Sequence, residues 1–226
     1  MAFIVLEGLD GAGKSTQIAM LREWLEGRGA TTRYLHFPRF DAPLFGELIA
    51  RFLRGDMGSV EQVDPYLVAL IFACDRAEAA PRVREWLASG DTVIVDRYVY
   101  SNVGYQCAKL LPEKREALKT WIMELEYGYY ALPRPDLNIF LDVPFEFTRA
   151  RLSEARRGGD RDYLQGGADI HEASLELQRT VRSIYLDAAR ADPSLRIVDC
   201  SDNHGNMASP ETTFERIKNA VDGTVG

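Results

Sequence analysis

The first sixteen residues constrain the fold more than any other part of the chain. Residues 3–6 form a continuous apolar run (Phe-Ile-Val-Leu), which is typical of a strand buried on both faces of a sheet. The run leads to Gly8 and, four residues later, to Gly13-Lys14-Ser15, which completes the pattern G-x-x-x-x-G-K-[ST] of a phosphate loop. Residues 16–28 then carry apolar side chains at helical spacing. Strand, loop and helix follow in the required order, so the sequence predicts an α/β protein that binds a nucleoside triphosphate.

The residue types within this loop each suit the binding of phosphate. Glycines let the backbone curl so that its N–H groups point at phosphate oxygens. Lys14 adds a positive charge for the outer phosphates, and the hydroxyl of Ser15 can coordinate Mg²⁺. The helix that follows contributes a partial positive charge at its N-terminus.

Composition excludes several other classes of protein. The 226 residues are 46% hydrophobic and 27% charged, as expected for a soluble globular protein, and we find no linker that would divide 1–226 into domains. No apolar run approaches the ~20 residues that span a bilayer, so no membrane association is expected. The net charge of −7 argues against a nucleic-acid-binding surface.

The N-terminus and the cysteines predict a cytoplasmic location. The chain reads directly into its first core strand, which leaves no room for a signal peptide. The three cysteines, Cys74, Cys107 and Cys200, are odd in number and far apart, which disfavours both a disulfide framework and a zinc site.

The remaining sequence alternates between strand and helix patterns. Strands are predicted at 31–37, 92–96, 136–143 and 196–199, and helices at 44–54, 65–86 (kinked near Pro81), 101–110, 112–127, 145–156, 169–190 and 210–221. Five apolar strands separated by helices predict a three-layer fold with a parallel sheet, and a charged, glycine-rich stretch at 156–168 predicts a small mobile lid. Ligands of such sheets bind at the carboxyl ends of the strands, where the phosphate loop, 37–39 and 96–97 all fall.

Three arginines narrow the chemistry, because a phosphate loop alone also occurs in switches, motors and transporters. An Asn-Lys-x-Asp strand end, typical of guanine-nucleotide switches, is missing from the sequence. Arg39, Arg76 and Arg97 lie on different predicted elements that border one cleft, as a second anion facing the triphosphate would require. The alternative for each arginine is an ordinary surface ion pair.

Over nearly its whole length the chain resembles the thymidylate kinase family, whose members transfer the γ-phosphate of ATP to dTMP. The resemblance rests on the segments Glu7–Thr16, Phe37–Phe40, Phe72–Arg76, Asp96–Tyr98 with Ser101-Asn102 and Tyr105-Gln106, and Leu132–Leu137. It implies a P-loop kinase fold, ATP and Mg²⁺ as cofactors, and a homodimer. The implied ATP contacts are Gly8, Leu9, Asp10, Gly11, Ala12, Gly13, Lys14, Ser15, Thr16 and Arg151.

The resemblance also implies an acceptor site for dTMP. Its members are Asp10, Phe37, Arg39, Phe40, Phe72, Arg76, Arg97, Ser101, Asn102, Tyr105 and Gln106. Phe72 would stack on the thymine between the walls formed by Phe37 and Phe40, although aromatic residues at helical spacing are often ordinary core. Arg76 would donate to the carbonyl edge of the base, and Asn102 would help to fix the base or the phosphate.

Tyr105 would sit under the sugar and leave no space for a 2′-hydroxyl, and Gln106 would lie behind the residues in contact with the nucleotide.

The phosphate and metal roles follow from the same resemblance. Arg97 would clamp the acceptor phosphate, and Arg39 would bridge the acceptor and the donor. Asp10 would hold the 3′-hydroxyl or a magnesium-bound water, and Asp96 would be a magnesium partner together with Ser15, unless it pairs with a neighbouring arginine instead. A dedicated general base is unnecessary because the attacking phosphate oxygen is already anionic.

Gly11 places the chain in the branch of the family whose catalytic arginine lies in the lid, since other members carry an arginine at that position of the loop. The candidates are Arg151, Arg156, Arg157 and Arg161, of which at least two are expected to be solvated loop charges. The predicted catalytic residues are Lys14, Asp10, Arg39, Arg97, Arg156, Arg157 and Arg161. His171, which lacks a neighbouring nucleophile, is interpreted as structural.

Two other functions remain open at this point. One is a kinase for another deoxynucleotide or for a deoxynucleoside, and the other is an ATP-binding module without transfer activity. Intact Lys14, Ser15, Asp96 and Arg97 speak against the module.

The lid gives the first testable prediction. Alanine at one of Arg156, Arg157 or Arg161 is expected to lower kcat far more than a few-fold, because it removes charge that stabilises the γ-phosphoryl in the transition state. Steady-state assays of the three single variants measure this, and those arginines that prove neutral serve as controls. Turnover within a few-fold of wild type in all three would contradict the assignment.

Overall fold

The structure is a computed structural model that describes residues 1–60, 62–153, 163–164, 169–171 and 174–225. The strands are β1 Phe3–Gly8, β2 Thr32–His36, β3 Thr92–Asp96, β4 Leu137–Asp142 and β5 Leu195–Asp199. The α-helices are α1 Lys14–Glu26, α2 Phe45–Leu53, α3 Pro65–Ala88, α4 Val99–Cys107, α5 Pro112–Met123, α6 Phe145–Ser153, α7 Leu175–Ala191 and α8 Pro210–Val225, and a π-helical turn spans Glu124–Tyr129.

The five strands form one parallel sheet in the order β2-β3-β1-β4-β5, which confirms the predicted α/β class. The strand that leads into the phosphate loop is therefore central. At its carboxyl end, Leu6 pairs with Asp96 of β3, which in turn pairs with His36 of β2. This register brings the loops after β1, β2 and β3 to the same edge of the sheet.

Successive side chains of β1 point to opposite faces of the sheet, and a separate part of the core covers each face. Ile4 and Leu6 pack in the cluster that includes side chains of α1 and α8. Phe3 and Val5 face the other way, into the cluster formed with α3, α4 and α5. Every residue of β1 is buried, as the continuous apolar run predicts.

Three helices begin or end at residues other than the predicted ones. The helix predicted over 169–190 begins only at Leu175, because the side chain of Ser174 accepts a hydrogen bond from the backbone N–H of Leu177 and caps it. The helix predicted over 112–127 ends at Met123 and continues as the π-helical turn. The helix predicted from Ser101 begins two residues earlier, at Val99.

Most of the predicted lid, 156–168, lies outside the described residues. Among the helices that are described, none is both long enough and apolar enough to cross a membrane.

Close packing at Gly46 gives a prediction about stability. A Cβ atom at this position would lie 2.5 Å from the carbonyl oxygen of Phe40 and 2.7 Å from that of Arg39, so any side chain would displace the loop after β2. We expect Gly46→Ala to lower the free energy of unfolding by about 1–3 kcal/mol in urea denaturation.

Gly223 is the matched control, because a Cβ there meets no atom within 4 Å. Alanine at this helical position is expected to stabilise the protein by up to about 1 kcal/mol. A Gly46→Ala variant as stable as wild type would contradict the packing argument.

Candidate active site

A cavity of about 620 Å³ opens at the carboxyl edge of the sheet. It is lined by residues 10–16 of the phosphate loop and by side chains from β2, β3, α3, α4 and the loops around them. The predicted residues that it brings together outside the phosphate loop are Phe37, Phe40, Phe72, Arg76, Asp96, Arg97, Ser101, Asn102, Tyr105 and Gln106. The predicted triphosphate and acceptor sites therefore share one space.

The phosphate loop presents unsatisfied backbone donors and a buried ammonium. α1 begins at Lys14, and the preceding Gly13 has a φ of 81° and provides no side-chain cap, which leaves the first N–H groups of the helix open to an anion. The Nζ atom of Lys14 lies 3.3 Å from the carbonyl oxygen of Leu9 and 3.4 Å from that of Gly8. Burial and the nearby charge of Arg97 lower the pKa of Lys14.

Asp96 ends β3 beside this loop. Its Oδ1 atom is buried, has no hydrogen-bond partner among the residues that the structure describes, and lies 3.9 Å from Nζ of Lys14. Its Oδ2 atom lies 3.4 Å from Nδ1 of His36. Burial opposes ionisation of Asp96, but the charge of Lys14 and the contact with His36 outweigh it and lower the pKa. The cation beside Asp96 is therefore Lys14 rather than a neighbouring arginine, and the magnesium role of Asp96 stays a prediction.

Arg97 and Asp10 form an ion pair across the cavity. The Nη2 atom of Arg97 lies 2.6 Å from Oδ1 of Asp10, and its Nη1 atom lies 3.3 Å from the hydroxyl of Ser101. The hydroxyl of Tyr105 and the side-chain amide of Gln178 both donate to Oδ2 of Asp10, at 2.7 and 3.1 Å. Burial raises the pKa of Asp10, but the charges of Arg97 and Lys14 and these hydrogen bonds overcome it, so the pKa is well below its usual value.

A carboxylate at the end of β1 fixes the turn that carries Arg97. Glu7 is fully buried and accepts hydrogen bonds from the backbone N–H of Tyr98 (2.9 Å), the hydroxyl and N–H of Ser101 (2.6 and 3.2 Å), and the hydroxyl of Tyr185 (2.8 Å). Sequence analysis did not assign it a role. The signal was a single charged residue continuing an otherwise apolar strand.

A second buried carboxylate holds two of the predicted base-binding residues. Glu126 of the π-helical turn accepts from Nε and Nη2 of Arg76 at 2.5 and 2.7 Å, and from the amide of Asn102 at 2.8 Å. Arg76 is 2% exposed and Glu126 is 0% exposed. Burial works against the charge of Arg76, and the proximity of Glu126 overcomes this and raises the pKa of the guanidinium.

Aromatic rings form the walls of the cavity. Phe40 stacks on Tyr163 with ring centres 3.8 Å apart, and Phe72 meets the edge of Phe52 at 6.5 Å. Tyr105 stacks on His171 at 5.1 Å.

The imidazole of His171 also lines the cavity, and its Nε2 atom is buried without a hydrogen bond among the described residues. Tyr163 was not among the predicted site residues, and His171 was interpreted as structural because it lacks a neighbouring nucleophile.

Arg39 differs from the other predicted arginines. Its Nε and Nη2 atoms contact Asp75 Oδ1 (2.8 Å) and Glu78 Oε2 (3.1 Å), and it does not line the cavity. Gly8 and Leu9 also lie outside the lining. Arg156, Arg157, Arg161 and the side chain of Arg151 lie outside the described residues, so their roles stay predictions.

A central strand that runs through a glycine loop into a helix, facing a basic and aromatic wall across one cavity, defines a P-loop kinase fold. A structure of the thymidylate kinase from Candida albicans has this fold, with a TM-score of 0.72 and 24% identity over 98% of this chain and 91% of that chain. A family model for thymidylate kinase matches residues 6–209, and the chain belongs to that family.

Relatives in archaea and bacteria are closer in sequence. A probable thymidylate kinase from Thermococcus kodakarensis is 35% identical over 229 residues, which cover 99% of this chain and 98% of the relative. The thymidylate kinase of Mycobacterium tuberculosis is 33% identical over 186 residues, covering 82% of this chain and 85% of the relative.

The buried imidazole of His171 predicts a pH dependence of stability. Burial and the charge of Lys109 lower its pKa well below the usual value, so below about pH 6.5 the unfolded chain takes up a proton that the native state does not. The free energy of unfolding should therefore fall between pH 6.5 and pH 5, by up to about 1.4 kcal/mol per pH unit.

Chemical denaturation at several pH values measures this slope, and His171→Gln is expected to reduce it. His204→Gln, at an exposed position, is the control and should leave the slope as in wild type. Equal slopes for wild type and His171→Gln would contradict the argument.

Proposed function

We propose that this chain is a Mg²⁺-dependent kinase that transfers the γ-phosphate of ATP to dTMP, with dTDP and ADP as products. The observation that carries the proposal is the shared cavity, in which the phosphate loop faces Arg97, Arg76 and Asn102. Membership of the thymidylate kinase family supports the same donor and acceptor.

The transfer needs positioning and charge neutralisation more than proton chemistry. An anionic oxygen of the dTMP phosphate forms a bond to the γ-phosphorus while the bond from that phosphorus to the bridging oxygen of ADP breaks. Lys14 and the N-terminus of α1 hold the triphosphate, and Arg97 holds the acceptor phosphate in line with it. The ion pair of Arg97 with Asp10 supports this role, since it fixes the guanidinium at the boundary between the two halves of the cavity.

The residues around Asp96 fit a magnesium ion in part. The buried Oδ1 atom of Asp96 accepts no hydrogen bond from the described part of the chain, and Ser15 lines the same cavity. The described residues contain no cluster of three or more potential metal-ligating side chains. Mg²⁺ typically keeps water and phosphate oxygens as ligands and takes only one or two from protein, so Asp96 and Ser15 would be enough to hold it. Bound there, the ion would neutralise charge on the β- and γ-phosphates.

We assign selection of the acceptor nucleotide to the cavity wall that faces the phosphate loop. Phe72 stacks on the base, Arg76 and Asn102 bind its edge, and Tyr105 excludes a 2′-hydroxyl. The hydrogen bond from Tyr105 to Asp10 supports this arrangement, because it fixes the phenol beside the phosphate loop.

Cellular context follows from the family and the chemistry of the chain. We assign a cytoplasmic location, which the free cysteines at Cys74, Cys107 and Cys200 support. A homodimer is proposed from the family resemblance, and the 59% exposed Leu67 on α3 is one apolar side chain available to it. No nucleic-acid partner is proposed, in accord with the net charge of −7.

ADP formation with and without dTMP tests the proposal. We expect dTMP to stimulate turnover strongly, in preference to dUMP, UMP, thymidine and dGMP. Lys14→Ala should lower kcat by about 10²–10³-fold, because it removes a cation from the transferring phosphate. Lys119→Ala, which alters a lysine paired with Glu116 on α5, is the control and should retain wild-type rates.

Two results would overturn the proposal. Slow turnover that dTMP does not change would identify an ATP-binding module. Preference for thymidine over dTMP would identify a nucleoside kinase.

A further inference from the structure

The side chain of Glu126 contacts two base-binding residues without lining the cavity itself. It lies on the π-helical turn Glu124–Tyr129, a form of helix that is rare and is often found at functional sites. Its Oε1 atom accepts from both Arg76 Nη2 (2.7 Å) and Asn102 Nδ2 (2.8 Å). One buried oxygen therefore joins side chains of α3 and α4.

The carboxylate determines which way the amide of Asn102 points. Nδ2 of Asn102 donates to Glu126 and also to the carbonyl oxygen of Ala69 at 3.0 Å, and both partners can only accept. Both N–H groups are thus used on protein acceptors. The Oδ1 atom is buried and has no hydrogen-bond partner in the described part of the chain, so the amide offers an acceptor at the cavity wall.

The same carboxylate determines which donors Arg76 retains. Nε and Nη2 of Arg76 are held by Glu126 in a two-point contact. Within the described residues, Nη1 makes no hydrogen bond, so its N–H groups and the second N–H of Nη2 remain as donors for a ligand. Asn102 therefore presents an acceptor next to the remaining N–H donors of Arg76.

A pyrimidine with a keto group at C4 complements this pair. Thymine and uracil carry an N–H donor at N3 beside the O4 acceptor, whereas cytosine carries an acceptor at N3 beside an amino donor. With cytosine, the acceptor of Asn102 would face the acceptor at N3, and the donors of Arg76 would face the amino group. A hydrogen-bonding site of this type can discriminate by orders of magnitude, because a mismatch leaves buried polar groups unpaired.

We propose that Glu126 is a positioning residue that makes the acceptor site specific for 4-keto pyrimidine nucleotides over 4-amino ones, by fixing the orientations of Asn102 and Arg76. The inference rests on the proposed function, since it concerns the base of the acceptor. It adds a residue outside the cavity to the two that bind the edge of the base.

Glu126→Gln tests the proposal with little change of shape. A glutamine amide can donate as well as accept, so it no longer forces Nδ2 of Asn102 towards itself. We expect KM for dTMP to rise at least tenfold with kcat within a few-fold of wild type. The ratio of kcat/KM for dTMP to that for dCMP should fall at least tenfold. Glu126→Asp, which keeps the carboxylate, should restore part of that ratio.

A double-mutant cycle separates positioning from general stability. If Glu126 acts through the amide, Asn102→Ala and the double variant Glu126→Gln/Asn102→Ala should discriminate between dTMP and dCMP equally. Asp91→Asn is the matched control: it alters a carboxylate that pairs with Arg33 (2.7 Å) at the amino end of β3, and it should leave the ratio unchanged. Circular dichroism and ATP binding monitor folding in each variant.

Each outcome gives a decision. If Glu126→Gln does not fold, Glu126→Asp carries the test, with a partial loss of the ratio expected. If neither variant folds, or if Glu126→Gln folds and discriminates as wild type does, Glu126 serves stability alone and the proposal is overturned. A wild-type enzyme that dTMP fails to stimulate would instead overturn the proposed function, which is measured first.

Discussion

The carboxylate of Glu7 connects the strand before the phosphate loop to the turn that carries Arg97. It belongs to the central strand, one residue before the phosphate loop begins. It accepts hydrogen bonds from Tyr98 in the turn after β3, from Ser101 of α4 and from Tyr185 of α7. A buried carboxylate is costly unless its oxygens are satisfied, and here they accept four hydrogen bonds. Because Arg97 lies on that turn, its position is coupled directly to the loop that would hold the triphosphate.

Charge compensation follows a common pattern around the cavity. Lys14, Arg76 and Arg97 each lie beside a carboxylate from a different element, respectively Asp96, Glu126 and Asp10. These pairs offset the cost of burying a cation, and they also fix its direction. A phosphate that entered between Lys14 and Arg97 would meet donors already oriented, which is the condition for efficient electrostatic catalysis.

Local sequence patterns were sufficient for the sheet, the phosphate loop and the part of the cavity lining that lies on the loop and at the end of β3. The apolar run at 3–6 and the spacing of Gly8, Gly13 and Lys14 predict the central strand and its loop, and the strand end at Asp96-Arg97 lies beside them as expected. The acceptor residues came from resemblance to a family, since nothing in the spacing of Phe72 or Tyr105 distinguishes a nucleotide contact from core packing.

Ion pairs between residues that are distant in the chain could not be predicted from local sequence patterns. Glu126 lies fifty residues from Arg76 in the chain, and its place depends on a π-helical turn for which the sequence has no simple signal. Asp75 and Arg76 are adjacent, yet the carboxylate pairs with Arg39 and the guanidinium with Glu126. Which partner each charge takes is set by how α3 packs, and periodicity does not reveal it.

Arg97 has a backbone φ of 66°, in the left-handed region that glycine adopts without cost and that other residues seldom occupy. Its N–H donates to the carbonyl oxygen of Leu6, and the next N–H donates to Glu7, so the surrounding hydrogen bonds hold the residue in this conformation. Glycine would relieve the backbone, but it would remove the guanidinium from the cavity. At this one residue the backbone conformation favours glycine, whereas the proposed binding of a phosphate requires the guanidinium.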